Sequence, residues 1–447
     1  MLPDKITSLI FFLVAMLGIY SSGCKKESVF QQKTKPEIVI DANSNMLNSQ
    51  TIHFYKDTVY VLATNLSRDS SQTLVIDAGT LIKVNDKFSI TINPGATIEA
   101  KGTVSEPIVF TSAAFTGGAG LISSSFGQRY WSGIRIYGNA LHSITTTSGT
   151  LSYVRIEFAG DENFIMPSLL LSNVSKETIV NNVQVSYSTI TPSFEFAGGN
   201  FNAANLISYA GNNNADFLIR GGYTGMLQNL LAYRHPYFPN TSLGFNLTGL
   251  LIRDTATVPV ITNLTVLGPN LQKGTNILVY SDVSNRVAGM ITTGGAKFHI
   301  RNSVLLGFPK GGWYLDDNKT AVSIVNGESD FTYSIVHSND STRAFYLKPG
   351  AYPPYVSQDF KDYMLQQQFG NHLFVGADEF MLADPFNYDV NPNPLPKAGS
   401  PILSGANFDG VFSDPFFKKV DYRGALGSDN WLQGWTNFVP LQTNYNN

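Results

Sequence analysis

Three consecutive passages of this chain follow the same order of residues at a step of about 23, and that step limits the fold more than any other feature. Tyr187 is followed by Phe194-Glu195-Phe196-Ala197-Gly198-Gly199, Tyr209 by Phe217-Leu218-Ile219-Arg220-Gly221-Gly222, and Tyr233 opens a third pass. The tyrosines lie 22 and 24 residues apart, and both the phenylalanines and the Gly-Gly pairs lie 23 apart. Within a pass, apolar residues alternate with others (Val183, Val185, Tyr187; Phe194, Phe196; Phe217, Ile219), which is the period of a strand. A unit this short, holding two or three strands between Gly or Asn turns, cannot cover its own apolar side. It is covered by the next copy, so the predicted fold is an all-β solenoid of stacked coils.

The pattern extends in both directions. Asp77-Ala78-Gly79-Thr80-Leu81-Ile82 and Asn93-Pro94-Gly95-Ala96-Thr97-Ile98 are turn-then-strand copies, and Thr262-Asn263-Leu264-Thr265-Val266-Leu267-Gly268 recurs as Arg301-Asn302-Ser303-Val304-Leu305-Leu306-Gly307. The wider spacing near the latter pair predicts long loops over 235–259 and 269–296, where a solenoid usually carries its binding surface. One short helix is predicted from Ser357 to Phe369, with Ser357 as its N-cap and Gly370 as its stop, in a lateral excursion. End caps are assigned to Asn43–Ser71 and Trp431–Pro440, because an open parallel edge invites pairing with other chains. The resulting division is 1–23 signal, 24–36 tether, 37–310 β-helix with its N-terminal cap, and 311–447 final coils, excursion and C-terminal cap.

Several segments resemble the right-handed parallel β-helix lipoproteins of the Bacteroidota, within the pectin-lyase-like fold group. They are Ile92-Asn93-Pro94-Gly95-Ala96, Trp131-Ser132-Gly133-Ile134, Leu151-Ser152-Tyr153-Val154-Arg155-Ile156-Glu157, Phe194-Glu195-Phe196 and Gly222-Tyr223-Thr224-Gly225. The likeness runs from about Asp57 to Leu306 and returns at Lys397–Leu403 and Asp421–Ala425, which look like a closing coil. It implies an all-β, right-handed, single-stranded parallel β-helix. Enzyme signatures of the same fold group are missing: the chain has no Gly-His-Gly, no Arg-Ile-Lys and no Gly-Tyr-Gln-Asp-Thr. Fold likeness alone does not confer an activity.

The start of the chain gives an address. Asp4 and Lys5 precede an apolar run from Leu9 to Tyr20, then Ser21-Ser22-Gly23 and Cys24, the only cysteine in the 447 residues. That run is too short to span a hydrocarbon core of roughly 30 Å, so it reads as a cleaved signal. Its ending resembles a lipobox, which implies lipidation of Cys24 and attachment to a membrane. Lys25-Lys26-Glu27 resembles a surface-export signal, so an outer-membrane lipoprotein is expected, at the cell surface rather than the periplasmic face. With no second cysteine to form an intrachain bridge, stability must come from the core. A net charge of −3 gives no polyanion-binding surface, and nucleic acid is not an expected partner.

The best carboxylate pair for chemistry is Glu195 with Asp216. If Phe194 and Phe217 stack inside, these two acids face outward on neighbouring coils, roughly 8 Å apart by rung spacing, within the range of inverting glycosidases. Arg220 shares that face and could hold a sugar acid. These three are the catalytic candidates, with exposed surface charges as the alternative reading. Ligand-binding candidates are the aromatics Tyr233, Tyr237, Trp313 and Tyr355, whose rings could stack on sugar faces; packing in the core is the alternative, and Trp431 and Trp435 are assigned to the end cap. The six histidines have no pair at zinc-ligand spacing, so no metal or cofactor is expected. Asp41–Asn45 and Asp316-Asp317-Asn318 partly resemble calcium loops, which leaves calcium as a weakly supported cofactor, and turns are the favoured reading. The expected function is a lipid-anchored binding or adhesion module for polysaccharide or another envelope partner. A polysaccharide hydrolase or lyase, and a structural envelope protein without a soluble ligand, are the alternatives.

Overall fold

The computed structural model describes residues 35–115, 130–139, 146–161, 166–189, 191–211, 215–235, 247–271, 287–309, 311–387 and 392–445. These form a right-handed parallel β-helix with three sheet faces. One face is a ten-stranded parallel sheet running from Leu66–Arg68 through Phe194–Gly199 to Phe345–Leu347. The other two faces merge into one 17-stranded sheet, because the strands Gly149–Glu157, Ile179–Ser186, Ala203–Tyr209, Met226–Tyr233 and Val260–Leu267 each bend and continue onto the next face.

The bends have a residue-level cause. Tyr153, Asn182, Asn205, Asn229 and Asn263 all take positive φ, between 51° and 58°, a region that asparagine tolerates better than most residues. The asparagines also bond along the stack: Asn205 donates to Asn182 at 3.4 Å and Asn229 to Asn205 at 2.8 Å. Gly199 closes another corner at φ 83°, where a Cβ would lie 2.2 Å from the carbonyl oxygen of Val174. Any larger residue there would force the coils apart.

The core is a set of columns. Residue for residue, Leu66, Ile90, Ile134, Leu169, Phe194, Phe217, Leu250, Met290, Trp313 and Phe345 sit in register on successive rungs of the ten-stranded sheet. All ten are fully buried. The Phe194 and Phe217 rings stack at 4.9 Å and 18°, as the 23-residue step predicts. Each such side chain contributes about 1.5–3 kcal/mol by leaving water.

Four expectations are corrected. The spans 235–259 and 269–296 are not loops throughout, since each contains a strand of the ten-stranded sheet, Leu247–Ile252 and Val287–Thr292. Asn43–Ser71 is not a separate cap: Thr51–Phe54, Val59–Leu62 and Leu66–Arg68 already pair in the parallel sheets, leaving the 3₁₀ turn Asn45–Asn48 at that end. The expected helix is present as α2, Ser357–Met364, but it is preceded by a short helix that sequence reading missed, α1, Asn318–Val325. Asp317 caps α1 by accepting the Thr320 N–H, so that acid of the second calcium-like stretch serves a helix N-terminus. In α2 the first capping bond is from Val356 N–H to the Asp359 carboxylate, one residue ahead of the expected cap.

The segment assigned to a terminal cap lies elsewhere. From Asn407 to Tyr445 the chain runs back along the flank of the coils as an irregular strap, and the end of the core is covered instead by α2, whose Phe360 packs on Trp313 at 5.0 Å. Trp435 is buried on this flank, edge-on to Tyr153 at 5.8 Å.

Candidate functional site

Glu195 and Asp216 do not form an exposed pair. Glu195 is buried and is gripped by Arg220, with Nε at 2.6 Å and a terminal nitrogen at 2.5 Å from the same carboxylate oxygen. Asp216 is fully buried at the corner between two faces. There it accepts from Arg234 Nε at 3.0 Å and from the Ser208 hydroxyl at 2.6 Å. Arg234 spends its remaining donors on the carbonyls of Gly211 and Thr248. Burial pushes the Asp216 carboxyl up, while the Arg234 guanidinium and Ser208 pull it back. The strand period placed both acids opposite the phenylalanines, but it could not show that the outside of the coil is itself covered at these positions. Leu218, Leu251 and Ile291 on the outer side of the same sheet are buried too. Each acid is thus neutralised by its own arginine, and the two lack the shared open face on which acid–base work on a glycosidic bond would depend.

The aromatic candidates separate in the same way. Tyr233 is fully buried on the flank, edge-on to Tyr209 at 5.7 Å. Trp313 is fully buried in the core column, its indole N–H donated to Thr292 at 2.9 Å. Tyr237 and Cys24 lie outside the described residues.

Among the described members of this set, Tyr355 alone is at an open concave surface. It is 51% exposed and stacks on Tyr352 at 5.3 Å and 20°. The pair lines a groove of about 380 Å³ between α1 and α2 at the end of the solenoid. Leu315 and Leu347 line it together with Ile324, Val325, Phe360 and Tyr363, and Asp359, Asp362 and Gln366 supply its polar groups. Sequence reading found Tyr355 and the helix after it but not the groove, which exists because α1, the helix it missed, lines the opposite side from α2. Among the described residues no group of three or more His, Cys, Asp or Glu side chains is placed to hold a metal ion. Asp316, in the second calcium-like stretch, instead faces Lys348 at 3.1 Å and the Thr293 hydroxyl at 2.9 Å.

The three-faced parallel coil and its register columns define the class of protein, a β-helix of the pectate-lyase kind. The family model described as the pectate-lyase-like beta helix domain matches residues 46–346, and the chain belongs to that family. No curated protein and no solved structure matches it.

Proposed function

We propose that this chain is an exported, lipid-anchored binding module of the bacterial cell envelope, held by Cys24 at the outer membrane and displayed at the cell surface, and that it takes a saccharide in the groove between α1 and α2. The observation that carries the reading is the Tyr352–Tyr355 stack, which offers one exposed ring face beside an apolar floor and a rim of carboxylates and an amide. Such a surface suits a sugar, whose C–H face packs on an aromatic ring while its hydroxyls bond to acids and amides. The lipobox-like Cys24 and the polar stretch behind it support the address.

A glycan array probed with the full chain, followed by titration of any hit against Tyr355→Ala, tests the groove. A loss of affinity of tenfold or more with an unchanged β-type circular dichroism spectrum is expected. Binding that survives Tyr355→Ala would move the site elsewhere, and hydrolysis of a bound polysaccharide would favour the enzyme alternative. For the anchor, Cys24→Ala is expected to shift the protein from membrane to soluble fractions and to abolish labelling by a fatty-acid analogue.

A further inference from the structure

The flank that carries the strap holds its main chain through three side-chain amides. Gln184 donates its amide hydrogen to the carbonyl of Asn437 at 2.7 Å and accepts the N–H of the same residue at 2.8 Å. Gln228 does the same to Lys418, at 2.7 and 2.8 Å. Asn302 does it to Asn407, at 2.9 and 2.8 Å. An amide carries a donor and an acceptor side by side, so each of these side chains makes the two bonds that a peptide group of a neighbouring strand would make. The strap has no strand of its own between 405 and 445, and these pairs stand in for one. Beside this file of amides, Tyr209 and Tyr233 form a wall against which Phe438 packs edge-on, at 5.0 and 6.2 Å.

We propose that this flank is a peptide-recognition track, occupied in cis by residues 405–445, and that it also accepts the same segment from a second copy of the chain. The occupant follows from the contacts. Amide pairs at Asn407, Lys418 and Asn437 set where the main chain must run, and the Phe438 contact sets which sequence fits. Every one of these contacts is available to an identical segment arriving from outside, as in the exchange of elements between protomers. The strap is joined to the coils by side-chain bonds, ring contacts and the backbone bond from Gly424 N–H to the Asn302 carbonyl rather than by a ladder of sheet pairing, so it can open while the coils stay closed.

The test uses the full chain and a labelled synthetic peptide of residues 429–445. Trp435→Ala with Phe438→Ala weakens the strap and leaves the track intact. The peptide is expected to bind this double variant at least tenfold more tightly than the natural chain, by fluorescence anisotropy. Adding Gln184→Leu should remove at least tenfold of that affinity. No saturable binding to a double variant with an intact β spectrum, or binding indifferent to Gln184→Leu, overturns the proposal, and equal binding of a scrambled peptide overturns the choice of occupant. Hydrogen exchange on the unmodified chain gives a second measure. The amides of Lys418 and Asn437 should exchange at least tenfold faster than those of Phe217 and Ile219, and exchange of both sets only by global unfolding would show that the strap never leaves.

Discussion

The interior column and the outer flank repeat at the same step yet are buried by different means. Phe194 is covered by Phe217 on the next coil, 23 residues away. Tyr209 and Tyr233, repeating beside them, are covered in part by Phe438, more than 200 residues further on. Burial in the column therefore follows from the repeat itself, whereas burial on the flank depends on a remote segment returning. A residue's periodicity shows which side of the strand it occupies; it does not show whether that side meets water.

The contrast sets the expected order of effects. Asp216→Ala should be among the most damaging changes, about 3–5 kcal/mol by urea unfolding, because it leaves Arg234 charged and unpaired at a buried corner. Phe217→Ala in the column is expected to cost a similar 3–5 kcal/mol, and either result near zero would break the account of the interior. On the flank, Trp435→Ala is expected to cost less, about 1–3 kcal/mol, because the strap can yield without the coils; proteolysis confined to 405–445 would sharpen that distinction.

A third test reads the seam next to Tyr233. Burial holds His235 down at about 3, well below its ordinary 6.5. The unfolded chain therefore takes up a proton at mildly acidic pH that the folded chain refuses, and stability falls as pH falls through that window. The difference in unfolding free energy between the natural chain and His235→Gln should shrink by about 1.4 kcal/mol for each pH unit between 5.5 and 4. A flat difference would mean that His235 is not held neutral. Least affected should be the exposed pair Lys56–Glu106, 3.2 Å apart, where Lys56→Ala is expected to change stability by less than about 0.5 kcal/mol in a thermal melt.

The solenoid and its inner residues were legible because both are local: alternation gives the side, and the 23-residue step gives the stacking. The two strands inside the wider spans were not, since Leu247–Ile252 and Val287–Thr292 are nearly continuous apolar runs that do not repeat the Phe pattern. Of the candidate site, Tyr355 was legible as an aromatic near the end of the chain, while the groove required knowing that α1 and α2 lie together. The role of Gln184, Gln228 and Asn302 was not legible, because it lies in pairings across 253, 190 and 105 residues. One signal was available: Asn182, Asn205 and Asn229 each stand four or five residues before Tyr187, Tyr209 and Tyr233, and that recurrence marks the corner of these three coils.

The strap also imposes a schedule on synthesis. Glu157 meets Tyr445 across 288 residues, so the coils that carry Glu157 and Gln184 leave the ribosome long before their covering segment exists. At ordinary elongation rates of about 5–20 residues per second, that interval lasts on the order of 15–60 seconds. Once Tyr233 has emerged the tyrosine wall stays uncovered until Phe438, 205 residues later, and the newborn chain must be kept from its neighbours until its last forty or so residues arrive.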